Sequence, residues 1–426
     1  MCLKEKKLAR LWVKYSKRMY RPIAISLSPN LENIDVVLAL RLLFAPWKWF
    51  SGEHITLLEQ WFRHYFTVSY AISFSSGRGA LYAVLKAMGI KENDEVLLQA
   101  FTCVAVPNAV LALQAKPIYS DIDETLTINV SDLESKISKK TKAIIVQHTF
   151  GIPTNMKKIH FLAKKYQLLV IEDCAHTISG LYEGKKLGTL SDAAIFSFGR
   201  DKAFSSVFGG MAITKNGELG KKIRQFQKQR EYPNMFWIFQ QIFHPVAFFF
   251  ILPIYNVFSL GKVLLIVLQR LNLLSFPVLP EEKEGKSVSV FLRKFPNALA
   301  ALSLLQLKRL NTFNKKRRDM SMVYREILGE QIVFPEETSL LRFPVLVEKR
   351  EEVMQLLRKQ GIYIGKWYAE VIDPNGTQFK KVGYTIGSCV YAEYVAKRIV
   401  NLPTYPAMSK EDAKKIGLLV KKYVGN

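Results

Sequence analysis

From residue 54 onward, short apolar runs alternate with stretches of helical periodicity, and this alternation leaves few folds open. LYAVLKAMGI reads as a helix and DEVLLQA as a strand, VPNAVLALQA as a helix, and KPIYSDI and TKAIIVQHTF as strands. MKKIHFLAKKYQ is an amphipathic helix, followed by the strand LLVIEDC and, further on, the strand AAIFSF. Strands that are apolar on both faces and separated by helices predict an α/β domain, its mainly parallel sheet covered on both sides. Ligands in such sheets bind beyond the carboxyl ends of the strands. Asp173, just past LLVIE, and Lys202, just past AAIFSF, fall there.

The pattern divides the 426 residues into five parts. Residues 1–53 are a basic arm and lead-in helix, and 54–228 the large α/β domain. Residues 229–285 are an apolar helical insert and 286–330 a linking segment, read as one long helix or two joined ones. Residues 331–426 form a smaller α+β domain. In the arm, Leu8, Leu11, Trp12, Tyr15 and Met19 fall at helical spacing among Lys and Arg, as in a basic amphipathic helix. Such a helix lies on a surface or docks on the protein's own core. In the insert, no Asp, Glu, Lys or Arg occurs from Tyr232 to Gly261. Its length permits a bilayer span, but Pro245 and Pro253 interrupt the helical pattern and Gln240, Gln241, His244 and Asn256 are polar. The favoured expectation is a hairpin of two or three short helices dipping into one leaflet. A dimer interface or an internal core is the alternative, and a full span comes last.

Lys and Arg number 61 against 36 Asp and Glu, a net charge of +25. That excess implies an anionic partner, such as phosphorylated substrates or an acidic membrane face. Nucleic acid has only the charge in its favour, since no recognition motif accompanies it. Cys2, Cys103, Cys174 and Cys389 are scattered with no CxxC pair, which disfavours a metal site or a disulfide framework and suits a reducing cytoplasm.

Three stretches carry the chemistry. FSSGRGALYAVLKA leads small residues into a helix, whose free N-terminal amides suit a phosphate. VIEDCAH ends a buried strand with Asp173, and His176 follows three residues later. SFGRDKAFSSVFGGM places Ser197 five residues before Lys202, a lysine that is costly to bury without a bond or a partner. Together they suggest pyridoxal phosphate. Its aldehyde needs a lysine, its ring nitrogen a carboxylate, and its phosphate a helix N-terminus with hydroxyls.

With these residues, and with KPIYSDID, TKAIIVQHTFGIPTNM, VIEDCAHTISGLYEGKKLGTLSDAAIFSFGRDK, FGGMAIT and IVNLPTYPAMSKED in order, the chain resembles the DegT/DnrJ/EryC1/StrS aminotransferases. The resemblance runs from about residue 54 to the C-terminus, the insert excepted. It implies a fold type I enzyme with a seven-stranded sheet, a homodimer with shared active sites, and amination of a nucleotide-linked keto sugar with glutamate as donor. Lys202 then matches the Schiff-base lysine and Asp173 the partner of the ring nitrogen. His176 matches the residue at the ring face or phenolic oxygen. Ser197, with Ser76 and the amides of Gly77, Arg78 and Gly79, matches the phosphate site. Relatives that remove a sugar hydroxyl carry histidine in place of the lysine, so Lys202 favours amino transfer. A sugar dehydratase and a non-catalytic membrane-surface protein are the alternatives.

Four positions depart from that pattern. Cys103 stands where an aromatic usually stacks on the ring. Arg78 replaces a small threonine and is able to reach a phosphate or the sugar nucleotide. Trp367 replaces a histidine near the sugar, and Lys294 an arginine or asparagine that reaches a neighbouring subunit. Elsewhere His148 reads as a loop histidine near the cofactor, Asp121 and Asp123 as turn and capping carboxylates, and KKRRD at 315–319 as a solvated helix face. An enzyme making sugars for membrane-bound glycans would sit at the anionic inner face of the plasma membrane.

Overall fold

The computed structural model describes residues 22–286 and 289–424, so the basic amphipathic helix expected before residue 20 lies outside the described residues. The chain enters through α1 (Asn33–Leu43) and α2 (Glu53–Phe66). The large domain then runs β1 (Tyr70–Phe74), α3 (Gly77–Ala87), β2 (Glu95–Gln99), α4 (Ala105–Leu111), β3 (Lys116–Ser120), α5 (Val130–Ser135), β4 (Thr141–Gln147) and α6 (Met156–Tyr166). It closes with β5 (Leu169–Asp173), β6 (Ala193–Ser197), β7 (Gly210–Thr214) and α7 (Gly217–Lys228).

The seven strands form one sheet in the order β1-β7-β6-β5-β4-β2-β3. Only β7 runs against the others, pairing antiparallel with both β6 and β1. The central strands are apolar on both faces because both are covered. Ile144, Ile145, Val146 and Ile171 are each about 1% exposed or less. Helices α3, α4 and α7 pack on one face, and α6 and α2 on the other, where Phe62 and Phe66 meet Phe196. Side-chain caps set the helix starts: Ser76 for α3, Asn155 for α6 and Asn216 for α7, each accepting an amide three residues on. Such a cap contributes about 1 kcal/mol.

The insert departs from expectation. Pro245 does not break it: α8 runs unbroken from Met235 to Ile251. A proline inside a helix costs about 3 kcal/mol, and packing offsets it. Trp237, Ile238, Ile242, Val246, Phe248 and Ile251 are all buried in the core that α8 shares with α1. Thus α8 is a core helix of the protein, and only the remainder of the insert, α9 (Leu260–Arg270), faces largely outward.

The linking segment is two helices, α10 (Asn297–Leu307) and α11 (Leu310–Leu328). Here the reading of 315–319 as a solvated face needs correction at one residue, since Arg317 is 1% exposed. Its guanidinium donates to the Ala203 carbonyl (2.8 Å), Asn30 Oδ1 (2.9 Å) and Asn314 Oδ1 (3.2 Å). Beyond it, β8 (Arg342–Leu346) pairs antiparallel with β9 (Ile399–Pro403). Helices α12 (Arg350–Lys359), α13 (Val390–Arg398) and α14 (Lys410–Lys421) complete this part, with α11 lying along α14. Asp121 caps α13 by accepting the Tyr391 and Ala392 amides, and Asp123 accepts the Thr125 amide in a turn.

Candidate active site

The carboxyl ends of β1, β4, β5 and β6 open into one cavity of about 440 Å³. Three features of the sequence meet there. Asp173 ends β5 and is 4% exposed; its Oδ1 accepts the Ala175 amide at 2.9 Å. Withdrawal from water pushes its pKa up, against the pull of the Ala175 amide, Lys202 and His148. Lys202 follows β6 in a loop held by its own backbone, for its carbonyl accepts from Asn30 Nδ2 at 2.6 Å. Among the described residues its Nζ has neither a hydrogen-bond acceptor nor a salt-bridge partner. Desolvation pushes the Lys202 pKa down; Asp201 opposes that shift and Arg342 adds to it.

The third feature is the start of α3. Gly77 has no side chain, and a Cβ there would stand 2.9 Å from Ser197 Cβ. Glycine is therefore what lets the end of β6 approach the helix. The amides of Gly77 and Arg78 have no intrahelical acceptor and open beside Ser197 Oγ on the cavity wall. Gly79 does not join them: its amide donates to Ser76 Oγ at 3.0 Å, and Gly79 is not on the wall. Ser76 Oγ in turn donates to the Phe291 carbonyl at 2.9 Å. Ser76, which also lines the cavity, and the Gly79 amide thus form the internal cap of α3.

The Arg78 side chain is also committed elsewhere. It pairs with buried Glu282, donates to the Pro277 carbonyl at 2.8 Å and lies 4.1 Å over the Phe291 ring. His176 lines the cavity at 5% exposure. Its Nδ1 accepts the Phe150 amide at 3.0 Å, which leaves the proton on Nε2, 3.3 Å from the Tyr368 hydroxyl. Burial, with Lys202 and Arg342 nearby, pushes its pKa well below the usual range, so the ring is neutral. His148 is fully buried, bonded through Nε2 to Glu172 and through Nδ1 to the Thr154 amide. It buttresses β4 and β5 and does not line the cavity. Cys103 does line it, as a thiol that burial keeps protonated.

Other wall residues gave no sign in the sequence. Arg342 opens β8 at 1% exposure, pairs with Asp201 at 3.0 Å and lies 3.9 Å over the Trp367 ring. Its Nε and Nη1 have no partner among the described residues. Tyr368 and Asp373 arrive from the small domain, where Ile372–Asp373 pairs with Thr102–Cys103. Burial pushes the Asp373 pKa up to about 6. Lys294 does not line the cavity; its Nζ lies 5.6 Å from the Tyr232 ring.

The sequence profile of the DegT/DnrJ/EryC1/StrS aminotransferase family matches residues 38–235 and 278–421. The chain belongs to this family. The unmatched residues between those two stretches are α8, α9 and the turn after them. Similar proteins include a GDP-perosamine synthase of Escherichia coli O157:H7, 29% identical over 90% of this chain and 93% of that one. A UDP-N-acetyl-3-dehydro-α-D-glucosamine 3-aminotransferase of Acidithiobacillus ferrooxidans is 27% identical over 83% of this chain and 84% of its own length. Among solved structures, NtdA from Bacillus subtilis with bound cofactor PMP superposes with a TM-score of 0.70 at 25% identity, covering 95% of this chain and 86% of that one.

The aminotransferase is a pyridoxal-phosphate enzyme, and the donor set of its cavity fits that group. An amine without a partner, a buried carboxylate and free helix amides with a hydroxyl answer the aldehyde, the ring nitrogen and the phosphate. Lys202, Asp173, and Gly77 with Arg78 and Ser197 would hold these three parts.

Proposed function

We propose that this aminotransferase moves an amino group from glutamate to the keto carbon of a nucleotide-linked sugar, working as a homodimer. The observation that carries the reading is Lys202, its Nζ without a partner in a cavity that also holds Asp173. Bound there, pyridoxal phosphate supplies the aldehyde that takes up an amine and a ring that accepts electrons.

The residues do the rest. Desolvation pushes the Lys202 pKa down and so favours the neutral amine, the form in which Nζ takes a proton from a substrate carbon and returns it. Asp173 holds a proton at the ring nitrogen. Neutral His176 offers a flat, hydrogen-bonding wall. Arg342 has two guanidinium nitrogens, Nε and Nη1, to spare for a carboxylate-bearing donor, which supports glutamate. The names of the similar proteins support a nucleotide-linked keto sugar as the acceptor.

The test is the absorbance of the purified protein before and after glutamate, beside Lys202→Ala. A band at about 420 nm that depends on Lys202 and moves to about 330 nm with glutamate is expected. The glutamate-treated enzyme should then aminate a panel of nucleotide-linked keto sugars, scored by product mass. A product that lacks a hydroxyl and gains no nitrogen would overturn the reading in favour of dehydration.

A further inference from the structure

The insert presents a surface that the family's chemistry does not need. Phe258, at the turn before α9, is 94% exposed. Leu260, Val263, Val267 and Leu271 recur at helical spacing along α9, and all are exposed, as is Ile266 between them. Phe249 and Phe250 are exposed near the end of α8, on the other arm of the same hairpin. A helix folded on its own protein turns such a stripe inward; here it faces out. The family profile skips this segment, so the stripe is an addition to the common scaffold.

Charge decides what covers the stripe. From residue 232 to 280 the chain has no Asp or Glu, and its only charged side chains are Lys262 and Arg270. A second copy of the hairpin would bring two like-charged surfaces together with no carboxylate of the segment to pair them. An anionic phospholipid surface complements both features, its acyl region meeting the apolar side chains and its headgroups the cations. The overall charge of +25 adds to the attraction. A bilayer span is not the alternative. Met235–Ile254 is long and apolar enough to cross a membrane, but it is mostly buried inside the protein.

We infer that α9 and the turn carrying Phe258 seat the enzyme in the outer few ångströms of an anionic lipid leaflet. The far end of the insert reaches the active site, because Phe276, Pro277 and Val278 form part of the cavity wall. The docked hairpin therefore holds the cavity close to the lipid surface.

The test uses the full-length holoenzyme and sedimentation with vesicles of phosphatidylcholine, with and without phosphatidylglycerol. The wild type is expected to pellet with the anionic vesicles and stay in solution with the neutral ones. Val263→Asp/Val267→Asp, and separately Phe258→Ser, should cut binding about ten-fold or more. Ile386→Asp, at an exposed apolar position outside the insert, should bind as the wild type does. The cofactor absorbance and the melting temperature of each variant report folding. Failure of the wild type to pellet overturns the inference, as does unchanged binding by both hairpin variants, which would assign binding to another part of the chain. Conversion of a dimer to a monomer by the hairpin variants in light scattering, without any lipid binding, would assign the stripe to a protein contact instead.

Discussion

Replacing Arg317 with methionine should loosen the loop that carries Lys202 from a distance. The guanidinium gives three hydrogen bonds, and two of them reach the Ala203 carbonyl and Asn30 Oδ1. Asn30 passes the restraint on, because its Nδ2 holds the Lys202 carbonyl. Methionine fills much the same volume but donates nothing, so three buried acceptors, Asn314 Oδ1 among them, lose their partner at about 1–3 kcal/mol each. The apolar surface that methionine buries recovers part of this. The net expectation is a loss of about 3 kcal/mol in the cofactor-free protein, read from the urea midpoint at unchanged slope. Working without cofactor keeps ligand binding from masking the change. Lysine at this position reaches only one acceptor and should lose about half as much. The variants should also hold pyridoxal phosphate more weakly, in the same order. A methionine variant within about 1 kcal/mol of wild type would refute the argument that this arginine is the tie.

Two further outcomes follow, one from the cavity wall and one from the helix start beside it. Asp373 has its pKa pushed up to about 6 by burial, from an ordinary 3.8. A raised carboxyl favours the protonated folded state, so the stability it contributes is present at low pH and is lost as pH rises through about 6. Asp373→Asn keeps the acceptor for the Ala369 amide and removes the charge. Its advantage in thermal melts should be absent near about pH 4 and grow to at most about 3 kcal/mol above about pH 7; a pH-independent difference would contradict the assignment. Gly79→Ala places a Cβ 2.1 Å from the Phe291 carbonyl. The first turn of α3 must shift, at about 2–3 kcal/mol, and pyridoxal phosphate should be lost on dialysis. Retention of both the melting temperature and the cofactor would show that α3 does not position the phosphate.

The sheet was legible because parallel strands buried on both faces read as unbroken apolar runs, such as AIIV and LVI. Asp173, Ser197 and Lys202 were legible for a related reason. They sit where such runs stop, and the topology makes those stops converge. Arg342, Tyr368 and Asp373 were not, since they come from the small domain and only tertiary folding brings them to the same cavity. An arginine before FPVLV reads equally well as the solvated start of a strand. Arg317 was hidden in the same way inside a run of four basic residues. Its burial is decided by Asn30 and the Ala203 carbonyl, far away in sequence. Pro245 misled because a local rule about backbone donors was outweighed by packing that the segment itself does not encode.

The insert looks detachable on a sequence profile, which passes over it, yet the molecule does not treat it so. Arg200, two residues before the active-site lysine, donates from Nη1 to the Ser275 carbonyl at 2.9 Å and from Nη2 to Ser275 Oγ at 3.0 Å. Ser275 Oγ itself donates to Gln241 of α8, and His244 of the same helix bonds Ser28, two residues before Asn30. The alignment gap is therefore not a seam in the folded protein. A chimera that trims this chain to the family length would leave the half-buried Arg200 guanidinium without these acceptors and a core without one wall. Grafting the hairpin onto a relative would add a stripe with nothing beneath it. In this chain the active-site loop is built around the segment, so losing the hairpin would require rebuilding the loop in the same step.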